Sequence, residues 1–200
     1  MNESLRQQLT ELEQFKEAND ASTTDWSRRM LNITHDTGEF LSVLVRTMHA
    51  QRVLEIGTSN GYSTLWLASA AEAVGGHVYT VDQSEFKIGL AAKNFARAGL
   101  ASFITQVHDE AGHVFAGAED ADFDLIFLDS ERTAYPAWWP DIKRVLRAGG
   151  LIVADNASTH VEELVPFMAI VKADPEFTTS LVPVGNGEFL AVRAGSFKNK

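Results

Sequence analysis

The stretch VLEIGTSNGYSTLWLA, residues 53–68, indicates which fold this chain can form. A mostly apolar run, a turn with two glycines and a longer apolar-rich run follow one another, which predicts a strand, a tight turn and a helix. Gly57 and Gly61 allow the backbone to approach a ligand closely, and the free N–H groups of the helix would point toward it. The stretch therefore predicts a nucleotide-like cofactor site. Because GTSNG also fits the pattern GxSxG, a hydrolase elbow with Ser59 as the nucleophile is the alternative.

Short apolar runs alternate with helix-like segments along the rest of the chain. Runs of consecutive apolar residues suit parallel strands that are buried on both faces and joined by right-handed helical crossovers. Five such runs occupy residues 53–56, 78–81, 104–107, 125–128 and 151–153. Two further runs, 178–184 and 188–192, are joined by the turn sequence GNG and predict an antiparallel hairpin. The pattern predicts an α/β, Rossmann-like, doubly wound fold, in which a seven-stranded, mostly parallel sheet ends in this hairpin and carries helices on both faces.

Two helices are predicted before the first strand. The first has an apolar stripe at helical spacing, formed by Leu5, Leu9, Leu12 and Phe15. The second is predicted to begin near Asp36, with Glu39 as the reciprocal capping partner. The stripe can pack on its own domain, cover a site or contact the second subunit of a homodimer, and the sequence leaves these alternatives open. We predict a single domain over residues 1–200, with the N-terminal helices in 1–50 and the cofactor-binding core in 51–195.

Composition narrows the classes of function. The chain is 45% hydrophobic and 22% charged, as is usual for a soluble globular protein. No apolar run approaches the roughly 18 residues of a membrane span, and the N-terminus lacks a secretory pattern, so we expect a cytoplasmic protein without a membrane partner. A net charge of −10 argues against nucleic acid as a partner. The absence of cysteine excludes disulfides, thiolate zinc sites and a cysteine nucleophile.

The hydrolase alternative has a triad in the required chain order, formed by Ser59, Asp129 and His160. However, the elbow of that fold follows several earlier strands and an oxyanion segment of the HGGG type. Here GTSNG follows the first predicted strand, and no HGGG-type segment precedes it. The cofactor interpretation accounts for more of the sequence.

Two acidic residues support the cofactor interpretation. Asp82 ends the next strand, about 20 residues beyond the turn, where an acidic side chain can accept hydrogen bonds from a ribose or cap the following helix. Glu55 lies inside a buried strand, where a carboxylate is costly unless it is paired, so we expect donors on the loop or on the ligand. Such a carboxylate would repel the pyrophosphate of NAD but would tolerate a cationic sulfonium.

Five segments together resemble a known family. VLEIGTSNGYST, VYTVDQS, FDLIFLDSERTAY, LIVADNA and LVPVGNGEFLAV, in this order, are similar to motifs of bacterial small-molecule O-methyltransferases related to catechol and caffeoyl-CoA O-methyltransferases. The resemblance runs from about residue 30 to residue 193. It implies a class I methyltransferase fold, S-adenosylmethionine as the cofactor and a small phenolic or catechol-like molecule as the hydroxylated acceptor. The remaining alternative is a protein that binds S-adenosylmethionine without metal-dependent catalysis.

The resemblance also implies roles for individual residues. Ile33 is expected beside the methionine part of the cofactor, Ser63 at its carboxylate, Ala111 at the adenine and Glu131 at the amino group. The full set of implied cofactor contacts is Ile33, Glu55, Gly57, Thr58, Gly61, Ser63, Asp82, Ala111, Asp129 and Glu131.

The ends of two further strands predict a metal site. Asp129 ends the fourth parallel strand, and Asp155 and Asn156 end the fifth, so all three should face the crevice at the carboxyl edge of the sheet. Three oxygen ligands of this kind suit Mg²⁺, with Ca²⁺ or Mn²⁺ as alternatives, and the resemblance assigns them that role. The other interpretation is that the two aspartates cap helices and the asparagine lies in a turn.

Three residues are expected to take part in catalysis: Asp129 through the metal, Arg132 and His160. Arg132 stands where catechol O-methyltransferases have a lysine that is taken to be the general base, and Asn186 replaces the aspartate of many relatives. A guanidinium cannot act as a base near neutral pH, so we expect Arg132 to stabilise the acceptor oxyanion or to pair with a surface carboxylate. His160 falls at a substrate-contacting position of the relatives, although a histidine at the start of a helix can also serve as a cap.

Overall fold

A mixed sheet forms the centre of the computed structural model, which describes residues 1–195. Within these residues the sheet has seven strands in the order β3-β2-β1-β4-β5-β7-β6. β1 to β5 are parallel to one another, whereas β7 runs antiparallel to both β5 and β6. The strands are β1 Arg52–Ile56, β2 His77–Asp82, β3 Ile104–His108, β4 Phe123–Leu128, β5 Leu146–Ala154, β6 Phe177–Val182 and β7 Glu188–Arg193. The predicted Rossmann-like fold and its C-terminal antiparallel hairpin are confirmed.

Helices cover both faces of the sheet. They are α1 Glu3–Ser22, α2 His35–Met48, α3 Tyr62–Glu72, α4 Glu85–Ala98, α5 Ala111–Gly117, α6 Tyr135–Val145 and α7 Val161–Ala173. One apolar core joins the sheet to α1, α2, α3 and α4, and a second joins the opposite face to α5, α6 and α7. In β1, Val53 packs in the first core and Leu54 in the second, and both are fully buried. Burial on both faces explains why the strands are apolar at consecutive positions.

Two details of the N-terminal helices differ from the prediction. The predicted start of α2 near Asp36 is confirmed, since the helix begins at His35, but Asp36 as its cap is wrong: the N-cap is Thr34, whose hydroxyl oxygen accepts from the Thr37 N–H at 3.2 Å. In α1, Leu5, Leu9 and Leu12 are buried against the domain's own core, but Phe15 is exposed. The stripe therefore packs on its own domain through its first three members only.

The arrangement of the strands determines where a site can form. β1 lies between β2 and β4, so the chain leaves the carboxyl end of β1 at the point where the strand order reverses. Open α/β sheets bind ligands at such a reversal, outside the carboxyl ends of the strands.

Within residues 1–195, every helix is too short or too polar to cross a membrane. The predicted single domain extends over residues 196–200, which lie outside the described residues.

Candidate active site

The GTSNG loop lies against the end of β4 because it contains glycine at two positions. Gly57 has φ +112°, and a Cβ atom there would be 2.0 Å from the carbonyl oxygen of Asp129. Gly61 has φ +84°, and its Cβ would be 2.4 Å from the ring of Phe95 on α4. Gly61 is also the N-cap of α3, and because it has no side chain it cannot cap the first turn of that helix. The N–H groups of Gly57 and Thr58 donate to the carbonyl of Val81, and that of Gly61 donates to the carbonyl of Thr58, so the N–H groups that a ligand could use lie in the first turn of α3.

Glu55 is fully buried beneath this loop and is surrounded by hydroxyl groups. Its carboxylate accepts hydrogen bonds from Ser63 at 2.5 Å, from Thr80 at 2.6 Å and from Thr64. Thr80 also contacts Thr58, with 2.6 Å between the two hydroxyl oxygens. Burial raises the pKa of Glu55 to about 7, although the three hydroxyl donors act against this shift. Glu55 is paired, as expected of a buried carboxylate, but the expectation that its donors in the protein lie on the loop is wrong: they belong to α3 and β2.

Asp82 ties the loop to the end of β2. One carboxylate oxygen accepts from the Ser59 N–H at 2.9 Å, and the other accepts from the Ser84 N–H at 2.9 Å. Ser84 is the N-cap of α4, so Asp82 supports the start of that helix as well as the loop. Each oxygen keeps a lone pair with which it can accept from a ribose hydroxyl.

The remaining predicted cofactor contacts lie around the same edge. Ile33 is buried just before α2, and Ala111 is buried at the start of α5, beyond the end of β3. Glu131 is exposed in the segment after β4 and accepts a hydrogen bond from Thr133 at 2.6 Å. These three residues are therefore spread over the loops that follow neighbouring strands or precede α2.

Ser59 does not form the triad that the hydrolase alternative requires. Its backbone is left-handed, with φ +46°, and its hydroxyl donates to the carbonyl oxygen of Met30 at 2.7 Å. His160 is exposed at the start of α7, where its Nδ1 lies 3.1 Å from the hydroxyl oxygen of Thr159. Without an imidazole to remove its proton, Ser59 is not activated as a nucleophile. The structure does not favour the hydrolase alternative.

Asp129, Asp155 and Asn156 come together at the ends of β4 and β5. Leu128 pairs with Ala154 in the sheet, so the aspartates that follow them are neighbours. The amide nitrogen of Asn156 donates to Asp155 at 2.8 Å and lies 3.4 Å from Asp129. Burial and the negative charge of Asp155 raise the pKa of Asp129, and burial also raises the pKa of Asp155.

Arg132 lies beside these carboxylates and is held by a second helix. Its Nε donates to Glu163 on α7 at 2.7 Å, and 21% of its side chain is exposed. The burial that raises the pKa of Asp129 is partly offset by the positive charge of Arg132. The expected pairing of Arg132 with a carboxylate is confirmed, with Glu163 as the partner, and the positive charge of Arg132 also acts on the two aspartates.

Comparison with known proteins gives the family. The sequence profile of the O-methyltransferase family matches residues 3–194. The chain belongs to this family. A catechol O-methyltransferase of Niastella koreensis is 35% identical over 63% of the chain and 58% of that enzyme, which is less than two thirds of its length. A probable O-methyltransferase of Mycobacterium tuberculosis is 30% identical over 80% of the chain and 77% of that protein.

Solved structures agree with this assignment. An O-methyltransferase from Bacillus cereus, in complex with SAH, is 27% identical with a TM-score of 0.78, over 94% of this chain and 90% of that one. An O-methyltransferase from Streptomyces achromogenes involved in tomaymycin synthesis, in complex with SAM, is 25% identical with a TM-score of 0.77, over 98% and 91%. The recognition of an O-methyltransferase related to catechol and caffeoyl-CoA enzymes is confirmed.

The side chains of Asp129, Asp155 and Asn156 at the ends of β4 and β5 are suitable ligands for a hard divalent cation. They are oxygen-bearing side chains, and Oδ1 of Asp155 is buried without any hydrogen-bond partner in the protein. Among residues 1–195, no cluster of three or more His, Cys, Asp or Glu side chains is arranged to hold a metal ion. A site in this O-methyltransferase would thus consist of two carboxylates and an amide, which leaves other ligand positions for water or the acceptor.

Glu188 is a residue of this site that the sequence analysis missed. Ala154 pairs with Phe189 in the β5–β7 ladder, and the next step along it brings Asp155 beside Glu188. Glu188 is fully buried, its Oε1 accepts from the Thr37 hydroxyl at 3.0 Å, and its Oε2 has no partner. Burial and the negative charge of Asp155 raise the pKa of Glu188 to about 10. The available signal was an acidic residue that directly follows the GNG turn and precedes four apolar residues, 189–192.

Proposed function

We propose that this O-methyltransferase transfers the methyl group of S-adenosylmethionine to a hydroxyl of a small phenolic or catechol-like acceptor, with the help of a divalent cation. The observation that carries the proposal is the meeting of Asp129, Asp155 and Asn156 beside the GTSNG loop. The relatives support the cofactor and the acceptor class, since two solved relatives contain SAM or SAH and another relative is a catechol O-methyltransferase.

The cofactor is proposed to bind along the loop between β1 and α3. Asp82 would accept hydrogen bonds from the ribose, and the N–H groups at the start of α3 would bind the carboxylate of the methionine part. Glu55 is buried below Ser63 and Thr64, so its proposed role is to fix the hydroxyls of the helix start at which the methionine part would bind. Further proposed contacts are Ile33, Gly57, Thr58, Gly61, Ser63, Ala111, Asp129 and Glu131.

Asp129, Asp155 and Asn156 are proposed to hold the cation, for which Mg²⁺ is the first candidate and Ca²⁺ and Mn²⁺ are alternatives. The chemistry that such a cation supplies is a lower pKa for an acceptor hydroxyl. The two aspartates would provide negative charge, and Asn156 a neutral oxygen. Their attachment to adjacent sheet strands holds all three in place without the help of a flexible loop.

Arg132 and His160 are proposed to act on the acceptor. Because Glu163 fixes its Nε, the guanidinium of Arg132 keeps its orientation beside Asp129, where its positive charge would favour an ionised acceptor hydroxyl. The guanidinium cannot accept the proton, since its pKa is too high. His160 is exposed at the same edge and is the proposed contact to the acceptor, with the proton passing to it or to bulk water.

A calorimetric titration tests cofactor binding, and a methyl-transfer assay tests the role of the metal. S-adenosylmethionine should bind to the wild-type protein without a metal, and added Mg²⁺ should support methyl transfer to a panel of catechols. Asp155→Asn should lose this Mg²⁺-dependent turnover, whereas Asp120→Asn, at an exposed residue paired with Arg144, should keep it. Full turnover after exhaustive chelation would contradict the proposed metal dependence and favour catalysis without a metal. Failure to bind S-adenosylmethionine would contradict the proposal as a whole.

A further inference from the structure

Glu188 destabilises the fold, but its position beside Asp155 indicates a function. A fully buried carboxyl group whose second oxygen has no partner destabilises a domain, and an apolar residue of similar size would not. All other residues of β7 that are buried are apolar: Phe189 and Ala191. The acid therefore stands alone in an apolar strand, at the one place where that strand meets Asp155.

The hairpin between β6 and β7 holds Glu188 against the end of β5. The Ala157 N–H donates to the Gly187 carbonyl at 2.8 Å, and the Ser158 N–H donates to the Asn186 carbonyl at 3.0 Å. A Cβ atom on Gly187 would be 2.1 Å from the Ser158 hydroxyl, so the turn presses closely on the loop that follows Asn156. These backbone contacts fix the turn, and with it the start of β7.

The side chain of Glu188 connects two parts of the structure that are distant in sequence. Its Oε1 accepts from Thr37 in the first turn of α2, and Thr37 in turn lies 3.1 Å from the hydroxyl of the N-cap Thr34. The register of β5 and β7 places the carboxyl group of Glu188 beside that of Asp155, and each keeps one buried oxygen without a partner in the protein, Oε2 of Glu188 and Oδ1 of Asp155. Asp155 thus has a neighbour on each side: the amide of Asn156 donates to its Oδ2, and the carboxyl group of Glu188 lies opposite it in the β5–β7 pair.

We propose that Glu188 is a positioning residue for the divalent cation: it orients the carboxylate of Asp155, so that metal affinity depends on a side chain that belongs neither to the cofactor loop nor to the three proposed ligands. The inference rests on the proposed function. Residues that hold a metal ligand through a hydrogen bond commonly change metal affinity by about 10- to 100-fold when they are replaced. We expect Glu188 to have an effect of this size.

Metal binding and stability together test this role. Mn²⁺ binding to the full chain, without cofactor or acceptor, can be measured from the electron paramagnetic resonance signal of free Mn²⁺ for wild type, Glu188→Leu and Glu188→Gln. Glu188→Leu should weaken Mn²⁺ binding about 10- to 100-fold while its melting temperature in chelator stays equal or rises, because a buried polar group is removed. Glu188→Gln keeps an oxygen for Thr37 and a donor for Asp155, so it should bind Mn²⁺ much more tightly than the leucine variant. Glu72→Leu, at an exposed residue of α3, is the matched control and should bind as wild type does.

The outcomes separate this inference from the proposed function. If wild type binds Mn²⁺ and Glu188→Leu binds it equally well, Glu188 has no positioning role and the metal site stands. If Glu188→Leu loses SAH affinity and melts at a lower temperature together with weaker metal binding, its role is general packing and the inference is overturned. If wild type binds no Mn²⁺ but does bind SAH, the metal-dependent part of the proposed function fails, and this inference fails with it.

Discussion

Replacement of Glu55 by glutamine tests how the ionisation of this buried residue affects the stability of the protein. The side chain is fully buried and has only hydroxyl donors around it, from Ser63, Thr64 and Thr80. Glutamine has the same shape and stays neutral at every pH, and the neighbouring hydroxyls can both donate and accept. The variant therefore removes the ionisation of Glu55 and leaves the packing in place.

The size and sign of the effect follow from the pKa. Burial raises the pKa of Glu55 from 4.5 to about 7, so the folded state disfavours the charged form. Between these two values the folded state binds more protons than the unfolded chain, and the stability of the wild type falls as the pH rises. A pKa raised from 4.5 to about 7 corresponds to about 3 kcal/mol of stability, which is present in full below pH 4.5 and is lost above the folded pKa. Glu55→Gln should not show this loss.

Urea unfolding of both proteins between about pH 4.5 and pH 8, in chelator and without cofactor, measures the difference. The free energy of unfolding of Glu55→Gln, relative to the wild type, should increase by about 3 kcal/mol over this interval. Glu72→Gln, at an exposed residue of α3, controls for the loss of one carboxylate and should show little change. A difference between Glu55→Gln and the wild type that does not vary with pH would refute the argument.

Four further results are expected. Gly57→Ala should lower the free energy of unfolding by more than about 3 kcal/mol in urea, because its Cβ would lie 2.0 Å from a backbone oxygen, whereas Gly117→Ala, with nothing within 4 Å, should cost little or stabilise. Ser59→Ala should keep methyl transfer within about tenfold, and a fluorophosphonate probe should not label the wild type; labelling would restore the hydrolase alternative. Asp82→Asn should weaken SAH binding in a calorimeter by about 1 to 3 kcal/mol, and an unchanged affinity would remove Asp82 from the ribose role. Arg132→Met should slow single-turnover methyl transfer and leave cofactor affinity nearly intact; equal rates at every pH would place Arg132 outside the mechanism.

Much of the fold was predictable because its signals are local. Consecutive apolar residues mark strands that are buried on both faces, and all seven predicted strands are present: six lie within two residues of the expected bounds, whereas β5 begins at Leu146, five residues before its predicted start. The GNG turn predicted the hairpin for the same reason, since the glycines at 185 and 187 both have positive φ. The cap of α2 was predicted wrongly because Thr34 and Asp36 are both good caps, and only the backbone of the folded chain determines which one precedes the first helical turn.

Part of the candidate site was also predictable from sequence. The aspartates after β4 and β5 meet because parallel strands end at one edge of the sheet, so the ends of neighbouring strands are close whatever lies between them in sequence. Gly57 and Gly61 were predicted from the same principle at the end of β1, and their positive φ values agree. For these residues, knowledge of the fold class was sufficient.

The partners of the buried acids could not be predicted in this way. Glu55 bonds to Thr80 on the adjacent strand and to two hydroxyls on α3, and nothing in the local pattern distinguishes these donors from the N–H groups of the loop. Glu188 meets Thr37 across 151 residues of sequence and meets Asp155 through the register of an antiparallel pair. A side chain in a strand turns to the opposite face when the register shifts by one residue, so the neighbours of a buried acid depend on how strands pair and not on how they are spaced along the chain.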